Sequence, residues 1–207
     1  MESLVAGIRR DEAEPDRRRR EPQEATVKGA LSVTSGQLGL WAFLGTVTML
    51  FAGFTSAYLV RQTTGSDWSA LPLPPVLWIN TAVLLASSAT LERGRMLSRR
   101  GQALPGWLLT TLLLGLVFLA GQLVAWRTLA AEGIFLPANP HASFFYVLTA
   151  VHAAHLLGGI AALTAALVAL RRTAPSPERE HRLKLCATYW HFVGGAWLYL
   201  FLVLFVL

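Results

Sequence analysis

Phe144 to Leu170 reads FFYVLTAVHAAHLLGGIAALTAALVAL, twenty-seven residues without one Asp, Glu, Lys or Arg. The hydrocarbon core of a bilayer is about 30 Å thick and takes roughly 20 apolar helical residues to cross, so this stretch is long enough to span. Working outward, four further uncharged stretches run about Leu38 to Val60, Val76 to Leu91, Trp107 to Trp126 and Leu185 to Leu207. The pattern predicts an all-α integral membrane protein with five transmembrane helices. The second stretch is the shortest: sixteen residues separate Pro75 from Glu92, and Asn80, Thr81, Ser87, Ser88 and Thr90 are among them. It spans if Pro75 opens the helix at its first turn and Leu71 to Pro74 lie in the interface.

Composition agrees. Of 207 residues, 54% are hydrophobic and only 14% charged, with a mean hydropathy of +0.47. A soluble domain is about 45–50% apolar and about 25% charged, so this chain lacks the polar surface to cover itself in water. The net charge is +6 and the pI near 10.2, but a nucleic-acid binder needs a dense basic stripe, and none is present. A single cysteine, Cys186, leaves no intrachain disulfide and no cysteine-based zinc or iron-sulfur site.

Residues 1–36 hold seven basic and seven acidic side chains and no apolar run long enough for a signal-peptide core. They read as a disordered tail ahead of a transmembrane domain over 37–207, with Arg17 to Arg20 available to anionic lipid head groups. Lys plus Arg then number seven in the tail, one (Arg61), four (Arg93, Arg95, Arg99, Arg100), one (Arg127), five (Arg171, Arg172, Arg179, Arg182, Lys184) and none at the C-terminus. By the positive-inside rule the N-terminus is cytoplasmic and the C-terminus external. Losing the second span would put Arg61 and the four-arginine loop in one compartment and break the alternation. Trp41, Tyr58, Trp78, Trp107, Trp126, Tyr189 and Trp190 fall near the expected helix ends, where amphipathic rings sit at head-group level. Trp197 falls mid-span and reads as a packing residue.

None of the spans carries an acidic or basic residue other than histidine, which argues against an autonomous ion or proton transporter. His152 and His155, at i, i+3, share a helix face, and His191 lies on the last span. The preferred reading of these histidines is hydrogen bonding between helices; a single haem held by His191 with His152 or His155 is the alternative. Asn80, Ser87 and Ser88 recur at i, i+7 and i+8 on one helix face, where Gln122 of the third span could meet them. Small residues cluster at Ala52, Gly53, Ser56 and Ala57, and again from Ala153 through Gly158, Gly159 and Ala162, which lets helices approach closely.

Five strings together resemble subunit III of haem-copper terminal oxidases, in the short five-helix bacterial form: WAFLGTVTMLFAGFTSAYLVR (Trp41 to Arg61), LWINTAVLLASSAT (Leu77 to Thr90), GQLVAWRTL (Gly121 to Leu129), FFYVLTAVHAAHLLGG (Phe144 to Gly159) and YWHFVGGAWLYLFLVL (Tyr189 to Leu204). They cover everything from about Leu38 onward. The resemblance implies a redox-silent accessory subunit in a bacterial plasma membrane, without a cofactor in this chain, partnered by oxidase subunits I and II that carry the haem and copper. Family members form two helix bundles around a V-shaped, lipid-filled cleft. They are thought to aid assembly, to protect against inactivation during turnover, and to support proton uptake or oxygen access at subunit I. On this footing the residues expected to serve packing or the lipid cleft are Asn80, Gln122, His152, His155, Gly158, Tyr189, Trp190, His191, Gly194 and Trp197.

Two departures stand out. The acidic residue usual ahead of the FAGF string is replaced at Thr46 and Val47, and the aspartate usual after YWHFV is Gly194. Roles that the family assigns to those carboxylates are therefore in question here. The INT and SSAT strings look closer to cytochrome c oxidases than to quinol oxidases; a quinol oxidase subunit III, an accessory protein of nitric oxide reductase and the single-haem anchor remain the alternatives.

Overall fold

The computed structural model describes residues 35–64, 68–69, 71–98, 104–136, 139–172 and 176–206. These form five helices: α1 (Ser35–Thr64), α2 (Val76–Ser98), α3 (Leu104–Ala131), α4 (Pro140–Arg172) and α5 (Pro177–Val206). The tail expected over residues 1–36 lies outside the described residues, as does the Arg17 to Arg20 run, except that Ser35 and Gly36 already belong to α1. Every helix runs past its uncharged stretch. The apolar run marks what the bilayer must cover, whereas the helix continues until a cap or a breaker ends it.

Those caps are visible. Asn139 Oδ1 accepts the amide of Ala142 at 2.8 Å with Pro140 opening α4, an N-cap followed by the proline tolerated at the first helical position. Ser176 Oγ accepts the amide of Arg179 at 3.3 Å, and Glu178 and Glu180 place negative charge in the first turn of α5. This cap moves the start of α5 eight residues ahead of the expected Leu185. At α2 the carbonyls of Pro74 and Pro75 accept the amides of Leu77 and Trp78, both at 3.1 Å, so Pro75 does open the helix. Leu71 and Pro74, however, are buried against protein. Helix α3 ends on Gly133, whose φ of 77° is the left-handed value glycine adopts without strain; Ile134 N donates to Leu129 O and Gly133 N to Ala130 O, the Schellman pairing.

Four helices, α1, α3, α4 and α5, are long and apolar enough to cross a membrane; α2 falls short by that measure. The packed pairs are α2 with α3, α3 with α4, α4 with α5, and α5 with α2, which closes a ring of four helices. Helix α1 makes no comparable backbone approach and reaches the ring through side chains. Phe43 and Phe51 lie against His155, and Tyr58 meets Trp68, His141 and Phe144 edge-on. The core runs through Leu84, Leu91, Phe118, Phe145, Leu148, Leu156, Trp190, Trp197 and Leu200. Large apolar side chains such as Trp41, Met49, Ile79, Val117, Leu157 and Leu202 point outward. An exterior this apolar, around an interior holding Asn80, Ser87, Thr111, Gln122 and His152, is the arrangement expected where the solvent is lipid.

Candidate functional site

The polar residues concentrate on the seams between helices. On α2, Thr81 Oγ1 donates to Leu77 O at 2.9 Å and accepts the indole N–H of Trp197 at 2.9 Å. Ser87 Oγ donates to Leu84 O at 2.8 Å and accepts the indole N–H of Trp190 at 3.1 Å. Each hydroxyl thus satisfies a buried indole while handing its own proton to the preceding turn. The two tryptophans, seven residues apart on α5, form matching clasps on the polar face of α2. Trp190 is 1% exposed; it is a core residue fourteen positions into α5, and not the interfacial ring that its expected place near a helix end suggested. Trp197 is the packing residue its mid-span position suggested, edge-on to Phe118 at 4.9 Å. Tyr58 is another correction to the interfacial set, since it too is buried.

The α2–α3 seam depends on missing side chains as much as on polar ones. Asn80 Nδ2 donates to Phe118 O at 3.3 Å, and its amide lies where a Cβ on Gly121 would stand. Asn80 therefore meets the backbone beside Gln122, with no hydrogen bond to the Gln122 side chain, whose two amide atoms are buried without partners. Farther along, Thr90 and Thr111 share a hydrogen bond at 3.0 Å, and the Arg93 guanidinium lies over the Trp107 ring, 5.8 Å from its centroid. On α3 a Cβ at Gly115 would fall 2.7 Å from the Trp190 ring, and on α4 one at Gly159 would fall 3.1 Å from it. Trp190 is thus seated in a slot cut by two glycines.

The three histidines go separate ways. His152, fully enclosed, faces Trp197 at 5.1 Å and Phe118 at 5.8 Å between ring centroids. His155, half-buried, has Nδ1 2.7 Å from Val151 O, while its own carbonyl accepts the Tyr189 hydroxyl at 2.8 Å. His191 Nε2 stands 3.5 Å from Glu92 Oε2, and Arg95 pairs with the same carboxylate oxygen at 2.7 Å. His191 therefore joins α5 to the charged end of α2 instead of facing His152 across the bundle. Among the described residues no cluster of three or more His, Cys, Asp or Glu side chains is placed to hold a metal ion. At the two departures, Val47 is buried in the core and Gly194 faces Ser88, 3.3 Å from where a Cβ would stand. Gly158 is exposed, its Cβ position 3.4 Å from the Tyr189 hydroxyl.

Two features are not evident from span-reading. His141 is buried, accepts the Leu71 amide on Nδ1 at 3.1 Å and stacks on Trp68 with centroids 5.1 Å apart at 11°, so it clamps the segment after α1 onto the start of α4. The Asn139-Pro140 cap is the sequence signal that would have placed it inside a helix. Trp126 Nε1 donates to Thr149 Oγ1 at 3.0 Å, and the Tyr146 hydroxyl to Ile134 O at 2.9 Å; together they tie the end of α3 to α4. Between α1 and the first turns of α4 an open cleft of about 930 Å³ is lined by Gly53, Ala57, Val60 and Phe144, with Arg61 and Asn139 among its polar groups.

A helical bundle with an apolar exterior and internally paired polar seams is that of a multi-pass membrane protein. The family model for cytochrome c oxidase subunit III matches residues 19–207, and the chain belongs to that family. It is 32% identical over 178 residues to the probable cytochrome c oxidase subunit 3 of Mycobacterium tuberculosis, covering 81% of this chain and 86% of the relative. The cytochrome c oxidase subunit 3 of Corynebacterium diphtheriae is 30% identical over 177 residues, with the same coverage of 81% and 86%. That of Alkalihalophilus pseudofirmus is 29% identical over 195 residues, 90% of this chain and 91% of the relative. The resemblance carried by the five sequence strings is thereby established as membership, and the chain is a subunit III of a haem-copper oxidase.

Proposed function

We propose that this chain is a redox-silent accessory subunit of a bacterial cytochrome c oxidase that packs beside subunit I, stabilises it, and holds phospholipid. The observation that carries the reading is the division of labour within the bundle. Its interior hydroxyl, amide and indole groups are largely spent on bonds between its own helices, whereas its exterior offers apolar surface suited to lipid or to another membrane helix. The cleft beside α1 has the dimensions and the mixture of apolar wall and cationic group that suit a phospholipid acyl chain and head group.

In this reading all five helices span, with residues 1–34 on the cytoplasmic side ahead of α1 and the C-terminus external. Helix α2 has 23 residues, roughly 34 Å at about 1.5 Å per residue, enough to cross. Its polar groups do not prevent crossing, because Asn80, Thr81, Ser87 and Thr90 bond inward to α2 itself, α3 and α5. The alternation of Lys and Arg between segments supports the same count.

Affinity purification of the tagged full chain in mild detergent tests the assignment. Copurification of a haem-bearing subunit I and a copper-bearing subunit II is the expected result. A nitric oxide reductase partner without a copper subunit would overturn it. The isolated chain is expected to show no Soret band; a Soret band lost in His152→Ala or His191→Ala would make it a haem protein instead.

A further inference from the structure

Apart from the cleft beside α1, a second groove opens where α3 ends and α4 begins. It has a volume of about 320 Å³ and is walled by Leu123, Trp126 and Arg127 of α3, by Phe135 and Leu136 of the turn that follows, and by Tyr146 of α4. The three α3 residues share one helix face, at i, i+3 and i+4. The turn itself is held in place. Gly133 reverses the chain, the Tyr146 hydroxyl donates to Ile134 O at 2.9 Å, and Ser143 Oγ donates to Leu136 O at 2.5 Å. With the backbone pinned on either side of them, Phe135 and Leu136 remain 56% and 51% exposed, two large apolar side chains kept out of the core.

Among the described residues that line the groove, Arg127 alone is charged. It is exposed and makes no hydrogen bond or ion pair among the described residues, Glu132 included. It follows directly on the apolar run that closes at Trp126, so its guanidinium stands where hydrocarbon gives way to head groups. From there an exposed apolar stripe runs back along α3 through Val124, Ala120, Val117 and Leu113, at steps of three and four residues that keep one face. The fourteen residues from Leu113 to Arg127 cover roughly 21 Å at about 1.5 Å each, against about 15 Å for one leaflet's half of the hydrocarbon core. A cation at head-group depth, an apolar notch beside it and a stripe longer than a leaflet complement an anionic phosphate joined to an acyl chain. We propose that this groove is a second phospholipid site, with the phosphodiester on Arg127 and one acyl chain laid along the α3 stripe. The site rests on the reading of α3 as a spanning helix in a lipid-holding subunit.

Met49 of α1 and Leu202 of α5, 76% and 57% exposed, provide an internal comparison, since both face outward from apolar stretches. The full chain, in the complex with which it purifies, is reconstituted in phosphatidylcholine vesicles doped with phosphatidylglycerol that carries a diazirine on its acyl chain. After irradiation the adducts are located by fragment mass spectrometry. Labelling at Leu123, Phe135 and Leu136 is expected to be several-fold above that at Met49 and Leu202. Arg127→Gln is expected to lower it to their level and Arg127→Lys to retain most of it; the side chain is exposed and unpaired among the described residues, so both variants are expected to fold. Labelling of the groove no higher than at Met49 and Leu202 would overturn the site, as would a groove shielded from label by a copurifying subunit. An excess unchanged in Arg127→Gln would overturn the phosphate contact. Oxidase subunits copurifying without the excess would count against this site alone, whereas the excess on a chain that brings down no oxidase subunits would count against the functional assignment and not the site.

Discussion

At the scale of single residues, two buried hydroxyl–indole hydrogen bonds join α5 to α2. Thr81→Val keeps the shape of the side chain but removes the acceptor of Trp197 Nε1, stranding a buried N–H at a cost of about 1–3 kcal/mol. The expected reading is a lower thermal unfolding midpoint in detergent. Trp197→Phe added to Thr81→Val is expected to cost less than the sum of the two single changes, because the stranded donor goes with it; strict additivity would show that the two do not interact. Gly121→Ala places a methyl where the Asn80 amide lies, an overpacking expected to cost about 1–3 kcal/mol, and Asn80→Ala in the same chain is expected to recover part of the loss. Gly121 illustrates a limit of sequence reading: one glycine among seventeen carries no mark of what stands opposite, whereas the histidine and asparagine positions are conspicuous in an apolar run.

Elements are delimited by caps outside the apolar runs, and this is where span-reading and structure differ most. Asn139→Ala removes the acceptor for the Ala142 amide and is expected to cost about 1 kcal/mol, seen as faster hydrogen exchange confined to the first turn of α4. A loss of protection spread evenly along α4 would contradict a capping role. Gly133→Ala forces a side chain into the left-handed region at about 1–2 kcal/mol, and is expected to loosen the Ile134–Leu129 bond that ends α3. The start of α5 was legible in Ser176-Pro177-Glu178, an N-cap, a proline and an acid in order. A search for uncharged runs passes over it because Glu178, Arg179, Glu180, Arg182 and Lys184 follow. Recognising that cap moves Trp190 from a helix end to a helix interior and converts it from an interfacial ring to a core anchor.

For the whole molecule, the net charge of +6 is a statement about orientation. The tail contributes seven basic against seven acidic residues, the segments holding Arg61 and Arg127 two against two, and the segments holding Arg93 and Arg179 nine against three. The excess therefore sits in two segments on the same proposed side of the membrane. Reporter fusions are expected to place the C-terminus outside and the N-terminus inside; both on one side would mean four spans, with α2 failing to cross. Neutralising Arg93, Arg95, Arg99 and Arg100 together is expected to produce a mixed topology, measured as partial external activity of a reporter placed after α2.

The sequence alone determined the class, the family and the approximate position of every helix, because crossing a hydrocarbon layer imposes a length and a lack of charge that no other requirement imitates. It also singled out Asn80, Gln122 and the histidines, since polar groups within apolar runs are rare enough to be noticed. Only the tertiary structure decided their partners. Helix rotation and register set whether Asn80 meets Gln122 or a glycine gap, whether His191 faces another histidine or Glu92, and whether Trp190 faces lipid or Ser87. Those angles come from packing all five helices at once, and the local pattern of a single span does not contain them.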